Sequence, residues 1–166
     1  MTQTTTPSTL SEQAKAAFAK FVVIQRSDGL RGALAVLLQQ TEFRFIGIWL
    51  FKDGKAKAVI HVDREHPETE SVPEVGETAT YCSLMRRTGE PFATPNAMDD
   101  VRLAAHPART SVLSYSGVPV VDVKGDVIGS LCLYDLQPRD VTQVDESLMT
   151  GVSRYLALGG LIPLYE

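Results

Sequence analysis

The most reactive side-chain type in this 166-residue chain, the cysteine thiol, occurs twice, as Cys82 and Cys132. Cys82 lies in "GETATYCSLMRRTGEPF", early in a segment that reads as helix, where a thiol can have its pKa lowered and become nucleophilic. Its alternative role is that of a small buried hydrophobe. Cys132 alternates on a strand pattern and reads as core, and without CxxC spacing the two thiols specify neither a structural zinc site nor a disulfide framework. The amides from Thr78 to Cys82, at the same helix start, favour an anion through free N–H groups and the helix dipole. Asp99, Arg102 and His106 bring a carboxylate, a guanidinium and an imidazole into one later loop, where Arg102 is also spaced to pair with Asp99. His61 and His66 flank a strand end at a spacing that fits no standard metal site. The chain has no nucleophile motif, no Gly-rich phosphate loop and no interpretable pair of acids.

These residues need a scaffold, and 44% hydrophobic content in a chain of this length supplies one sizeable core. A single domain over residues 11–166 is expected, preceded by a polar, Thr-rich mobile tail over residues 1–10. The net charge of −4 leaves no positive excess to neutralise a phosphate backbone, so nucleic acid is not an expected partner. The first residues lack the basic start and apolar run of a secretory signal, and no stretch approaches the roughly 20 apolar residues of a membrane span. A cytoplasmic protein that does not engage a membrane is expected.

The periodicity gives the elements. Ala14, Ala17, Phe18, Phe21 and Val22 fall on one face of a helix capped by Ser11, and Leu30, Ala33, Leu34, Leu37 and Leu38 repeat the spacing in a second helix with Ser27 or Asp28 as its cap. Phe43 to Phe51 and Ala56 to Val62 read as strands joined by the turn Lys52-Asp53-Gly54-Lys55. "REHPETESVPEVGE" reads as a surface loop. A helix starting at Thr78 or Thr80 and stopped by Gly89 comes next, then a long connection, "ATPNAMDDVRLAAHPART". Val112 to Val121 and Val127 to Tyr134 form a second hairpin, with Pro119 at a bulge or where its missing N–H meets no partner. The last helix opens with Thr142 and Asp145 in capping-box spacing and aligns Val144, Leu148, Val152, Tyr155 and Leu156. The order α, α, β, β, α, β, β, α describes an α+β fold built on an antiparallel sheet.

The stretch "SVLSYSGVPVVDVKGDVIGSLCLYD", residues 111–135, together with Pro138-Arg139 and the last helix, resembles a known family, the GAF domains, which are small-molecule sensor modules of signalling proteins. The likeness rests on Tyr115, Gly117, Val118 and Pro119 as "Y-x-G-V-P", on Gly129, Leu131, Cys132 and Asp135 as "G-x-L-C-x-x-D", and on Pro138-Arg139. "GETATYCSLMRRTGEPF" and "MDDVRLAAHP" are similar to the helix and loop before them, so the resemblance runs from about Ser11 to Leu158. It implies a central antiparallel sheet of five or six strands, helices on one face, and on the other a ligand cavity roofed by the segment from about Glu77 to Thr110. Glycine and proline in the second hairpin would bend it and let loops approach the cavity floor.

On that frame Trp49, Tyr81, Phe92 and Tyr115 supply apolar walls, Cys82 a thiol, and Asp99, Arg102 and His106 polar groups from the roof, and a small anionic or polar metabolite is the implied ligand. The structural alternatives stay open: His106-Pro107 ends a turn, Arg102 pairs with Asp99, and Trp49 and Tyr115 fill the core. Departures from the family's known patterns count against several cofactors. Of the Asn-Lys-Phe-Asp-Glu signature of cyclic-nucleotide binders only Asp145-Glu146 remains, and the single asparagine is Asn96. No cysteine adjoins His106 for a bilin, and His106 is the sole candidate axial ligand for haem near the roof. Cys82 falls near one cysteine position of the free methionine sulfoxide reductases, but "AAHPA" lacks their catalytic one. A sensor is thus the first reading, a thiol-dependent reductase using Cys82 with Cys132 the second, and a ligand-free dimerisation module the third. With no output domain expected beyond Glu166, a homodimer through the terminal helices, or a separate signalling protein, is the expected partner.

Overall fold

Ser11 starts the first helix as expected, its hydroxyl accepting from the Ala14 amide at 3.1 Å. In the computed structural model, which describes residues 10–165, the two expected helices form one kinked element, α1 (Glu12–Gln39), broken at Gly29, where φ is 87°. Neither suggested cap operates at the kink: Ser27 donates its hydroxyl back to the Ile24 carbonyl, and Asp28 is exposed. The tail expected over residues 1–10 lies outside the described residues except for Leu10, which packs on the core.

Strands β1 (Phe45–Lys52) and β2 (Lys55–Asp63) form the first hairpin. Both turn residues have positive φ, 52° at Asp53 and 76° at Gly54, the backbone that a tight Asp-Gly hairpin requires. The loop after β2 carries β3 (Val75–Gly76), a short edge strand on Lys55–Ala56. Helix α2 (Cys82–Thr88) begins after Tyr81, without a side-chain cap, and ends at Gly89 with φ 71°. Thr78 and Thr80 therefore do not start it, and Thr80 Oγ1 donates to the Glu77 carbonyl instead. The long connection holds β4 (Phe92–Thr94) and three single 3-10 turns. β5 (Ser114–Val121) and β6 (Val127–Asp135) make the second hairpin, and α3 (Glu146–Leu158) closes the fold. Asp145 alone caps α3, accepting from the Leu148 amide at 3.0 Å, while Thr142 lies in a separate turn held by Asp140.

The six strands form one antiparallel sheet in the order β3-β2-β1-β6-β5-β4. Alternation assigns its faces. Ile46, Ile48, Leu50, Leu131, Leu133, Val118 and Val120 meet α1 and α3 in the larger core. Trp49, Cys132 and Tyr115 face the opposite way, toward α2 and the turns of the long connection. On β2 the register shifts where Ile48 pairs with Ile60 but Trp49 with Ala58. That bulge at Val59 reverses the alternation, so Ala56 and Ala58 lie on the α2 side before it and His61 lies there after it.

Polar groups fix the edges of this arrangement. Asp135, at the end of β6, accepts from the Arg44 amide at 3.0 Å and from Arg139 Nε at 2.8 Å. Asp63, at the end of β2, holds Arg44 through two bonds of 3.0 and 3.1 Å. Pro119 sits beyond the last pairing of β4, and its carbonyl accepts from Ser153 Oγ of α3 at 2.9 Å. Because N and C=O of one strand residue face the same edge, the proline nitrogen meets no ladder partner there. Among the described residues no helix is long and apolar enough to cross a membrane.

Gly129 is the position of closest approach: a Cβ there would collide with the Trp49 carbonyl oxygen and come within 3.0 Å of Leu50 Cα in the neighbouring strand. Backbone cannot yield as a side chain would, so Gly129→Ala is expected to destabilise by about 3 kcal/mol. Urea unfolding reads this directly, and an unchanged midpoint contradicts the β1–β6 packing.

Candidate functional site

Two glycines open the α2 side of the sheet on either side of one cysteine. Cys132 pairs with Gly47 of β1 and Gly117 of β5. A Cβ on Gly117 would strike the Tyr115 ring, 2.6 Å from its hydroxyl, and one on Gly47 would lie 3.1 Å from His61 Cδ2 and 3.3 Å from Trp49 Nε1. The missing side chains let these rings lie across the sheet and leave room above Cys132. The result is a cavity of about 330 Å³ between the sheet and the segments Ala79–Cys82 and Pro107–Val112.

The roof is tied to itself. Tyr81 donates its hydroxyl to the Val112 carbonyl at 2.7 Å. His106 Nδ1 accepts from the Ala108 amide, which leaves Nε2 protonated to donate to the Thr80 carbonyl at 3.1 Å. Burial lowers the His106 pKa from its ordinary value, so the neutral ring that makes both bonds is favoured. These two links join the start of α2 to the end of the long connection.

Inside, the Cys82 sulfur lies 2.8 Å from Ser130 Oγ and 3.3 Å from the Tyr115 hydroxyl. Hydrogen bonding from Cys132, opposed by burial and helped by Ser130, Tyr115 and Thr80, brings the Cys82 thiol down to about 7. Burial holds Cys132 and Tyr115 in their protonated forms, with pKa values well above the ordinary range. Of two adjacent thiols only one readily ionises, and Cys82 is that one.

Of the residues singled out from sequence, Trp49, Tyr81, Cys82 and Tyr115 line the cavity together. Phe92 does not line it but backs its wall, 6.0 Å from Tyr81 and 6.2 Å from Tyr115 between ring centres. His106 stands behind Tyr81, with 4.8 Å between ring centres. Asp99 is exposed and accepts from Asn96. Arg102 is exposed too, and its partner is Asp100 rather than Asp99; its guanidinium covers the outer face of Phe92 at 4.6 Å. Among the described residues no acidic or basic side chain lines the cavity, so an anion would find no counter-charge there. Helix α2 has only seven residues, which limits what its dipole can add.

Sequence reading missed Tyr134, Ser130 and His61. Tyr134 lines the cavity, and its hydroxyl lies 2.6 Å from Nε2 of His61, a histidine only 1% exposed. Alternation from Cys132 points to Ser130 and Tyr134 once one face is known to be open. His61 is hidden by the bulge at Val59.

The comparisons agree with this architecture. The structure is similar to the GAF domain of a phosphoenolpyruvate-protein phosphotransferase from Acinetobacter, with TM-score 0.69 and 18% identity over 89% of this chain and 92% of that one. It is similar to the type II free methionine-R-sulfoxide reductase of Thermoplasma acidophilum, with TM-score 0.59 and 16% identity over 92% and 99% of the two chains. The free methionine-R-sulfoxide reductase of Neisseria meningitidis, solved with its substrate, gives TM-score 0.60 and 15% identity over 88% and 87%. No curated protein matches the sequence. The sequence pattern of the GAF domain matches residues 25–159, and with the six-stranded sheet, its helix-covered face and its roofed cavity, the chain belongs to the GAF domain family.

Proposed function

We propose that this chain is a sensor module whose cavity takes a small, uncharged and mainly apolar organic molecule. The observation that carries this reading is the aromatic lining of a 330 Å³ space, to which no Asp, Glu, Lys, Arg or His side chain contributes among the described residues, a size that suits a compact ligand. Occupancy bears on the two bonds that close the roof, Tyr81 to Val112 and His106 to Thr80. Ser153 of α3 grips β5 at Pro119, so a change in the sheet reaches a terminal helix. A second copy of the chain or a separate signalling protein would read that change, provided the ligand binds the two states with different affinity. The stripe expected to pair across a dimer is partly occupied within the chain: Ala14, Phe21 and Val152 are buried, and Phe18 packs edge-on against Tyr155. The partly buried Ala17, Phe18, Val22 and Tyr155 are the part of that stripe left for a dimer.

A thermal-shift panel tests the sensor reading, with phenyl ketones, small amides, amino acids, methionine sulfoxide, nitrate, small carboxylates and cyclic nucleotides as probes. A probe at 100 times its dissociation constant stabilises by about 2.7 kcal/mol, and a rise in Tm of roughly 5 to 10 °C is expected for the uncharged probes. A flat response from protein refolded free of carried-over ligand contradicts the reading.

The Cys82 thiol supports a second reading, reduction of free methionine sulfoxide. In that reaction the sulfoxide oxygen leaves as water, the thioether is released, and Cys82 and Cys132 end as a disulfide that dithiothreitol reopens. Dithiothreitol-dependent turnover abolished by Cys82→Ser supports it, and absence of turnover removes it. Independently of catalysis, iodoacetamide should modify Cys82 at a rate that rises through about pH 7, because the thiolate is the nucleophile. Peptide mass spectrometry reads the profile, and an inflection above pH 8 contradicts the hydrogen-bonded thiol.

A further inference from the structure

Beside Gly47 the cavity wall carries hydrogen-bond donors that the protein does not use. Nε2 of His61 meets the Tyr134 hydroxyl at 2.6 Å, while Nδ1 of the same ring is buried without a partner. A buried N–H without an acceptor is rarer than a buried acceptor without a donor, so the proton belongs on Nε2. Burial holds the ring neutral, with a pKa of about 4. His61 therefore donates to Tyr134, which leaves the Tyr134 O–H proton free, and no other protein partner reaches that hydroxyl among the described residues. The Trp49 indole N–H has no protein acceptor among the described residues either; its nitrogen is 3.3 Å from where a Gly47 Cβ would lie, a position that is also 3.1 Å from the His61 ring, and 6.4 Å separates the Trp49 and Tyr134 ring centres. Both side chains line the cavity.

We propose that the Tyr134 hydroxyl, oriented by His61, and the Trp49 indole N–H together bind one carbonyl or amide oxygen of the ligand, whose apolar remainder lies against Tyr81 and Tyr115. The ligand class is thus a neutral molecule with a single acceptor at one end, since among the described residues no basic side chain lines the cavity to hold a carboxylate. Gly47 keeps that corner open, because a Cβ there would lie 3.1 Å from His61 Cδ2 and 3.3 Å from Trp49 Nε1, pressing on the ring that orients Tyr134 and on the indole donor. This inference rests on the cavity reading above and deepens it.

The test compares acetophenone with α-methylstyrene, which has the same shape with CH₂ in place of the carbonyl oxygen. Dissociation constants come from amide-shift titrations of the isotope-labelled protein. Tyr134→Phe should weaken acetophenone by about three- to tenfold, the range for one hydrogen bond, and leave α-methylstyrene within about twofold. Trp49→Phe should show the same selectivity and serves as the independent variant if Tyr134→Phe disturbs the fold. Equal losses for the two probes, or none for either, overturn the oxygen site while leaving the cavity reading intact. Failure of both probes to bind the unmodified protein overturns the cavity reading, and the oxygen site with it.

Discussion

One sheet divides two unequal cores, the larger under α1 and α3 and a smaller one under α2 and the long connection that leaves a cavity beside it. The helix-covered face is packed with aliphatic side chains, with Ile46, Ile48, Leu131 and Leu133 at most 1% exposed and Leu34, Leu38 and Leu156 above them at most 2%. Burying each such side chain contributes on the order of 1.5 to 3 kcal/mol. With the apolar surface concentrated there, the opposite face can carry Gly47, Gly117, Cys132 and Ser130, small residues that would make a poor core. The open face is a consequence of where the large side chains were placed.

The same division explains the chemistry of the site. Small residues on the floor bring rings down onto the sheet, and the rings carry the polar tips: Tyr115 and Ser130 around the Cys82 thiol, Tyr134 on His61. Burial keeps most of these groups in their neutral forms and removes water that would compete for their hydrogen bonds. The thiol is the exception, because several donors converge on it. Apart from that thiol the cavity is uncharged, and its polar tips make it directional, suited to recognising shape and one polar atom. The charged groups the chain does possess serve as clamps instead. Arg44 and Arg139 grip Asp63 and Asp135 at the strand ends, and Arg102 holds Asp100 outside the roof.

Local features were legible in the sequence. The helical stripes, the Asp-Gly turn, the Gly89 stop and the second hairpin all arise from patterns within a few residues, and the motif around Tyr115 and Cys132 identified the fold. On the frame of that resemblance Trp49, Tyr81 and Tyr115 were expected as walls and line the cavity with Cys82, whereas Phe92 stands behind them. What was not legible depended on distant geometry. The bulge at Val59 turns His61 to the cavity side, and no periodicity marks it. Arg102 lies three residues from Asp99 and two from Asp100, and the tight 3-10 turn capped by Asp100 decides for the nearer one. The anion expected at the start of α2 came from a dipole argument, which a helix of two turns and an uncharged lining do not support.

Crystals pressurised with xenon test the central claim, that the α2 side of the sheet holds an open and apolar space. Xenon enters apolar cavities that water leaves empty. The expected result is a xenon atom above Cys132, bounded by Trp49, Tyr81 and Tyr115, with the roof bonds of Tyr81 and His106 in place. A site without xenon, filled by Tyr81 or by a collapsed Pro107–Val112 segment, would contradict it.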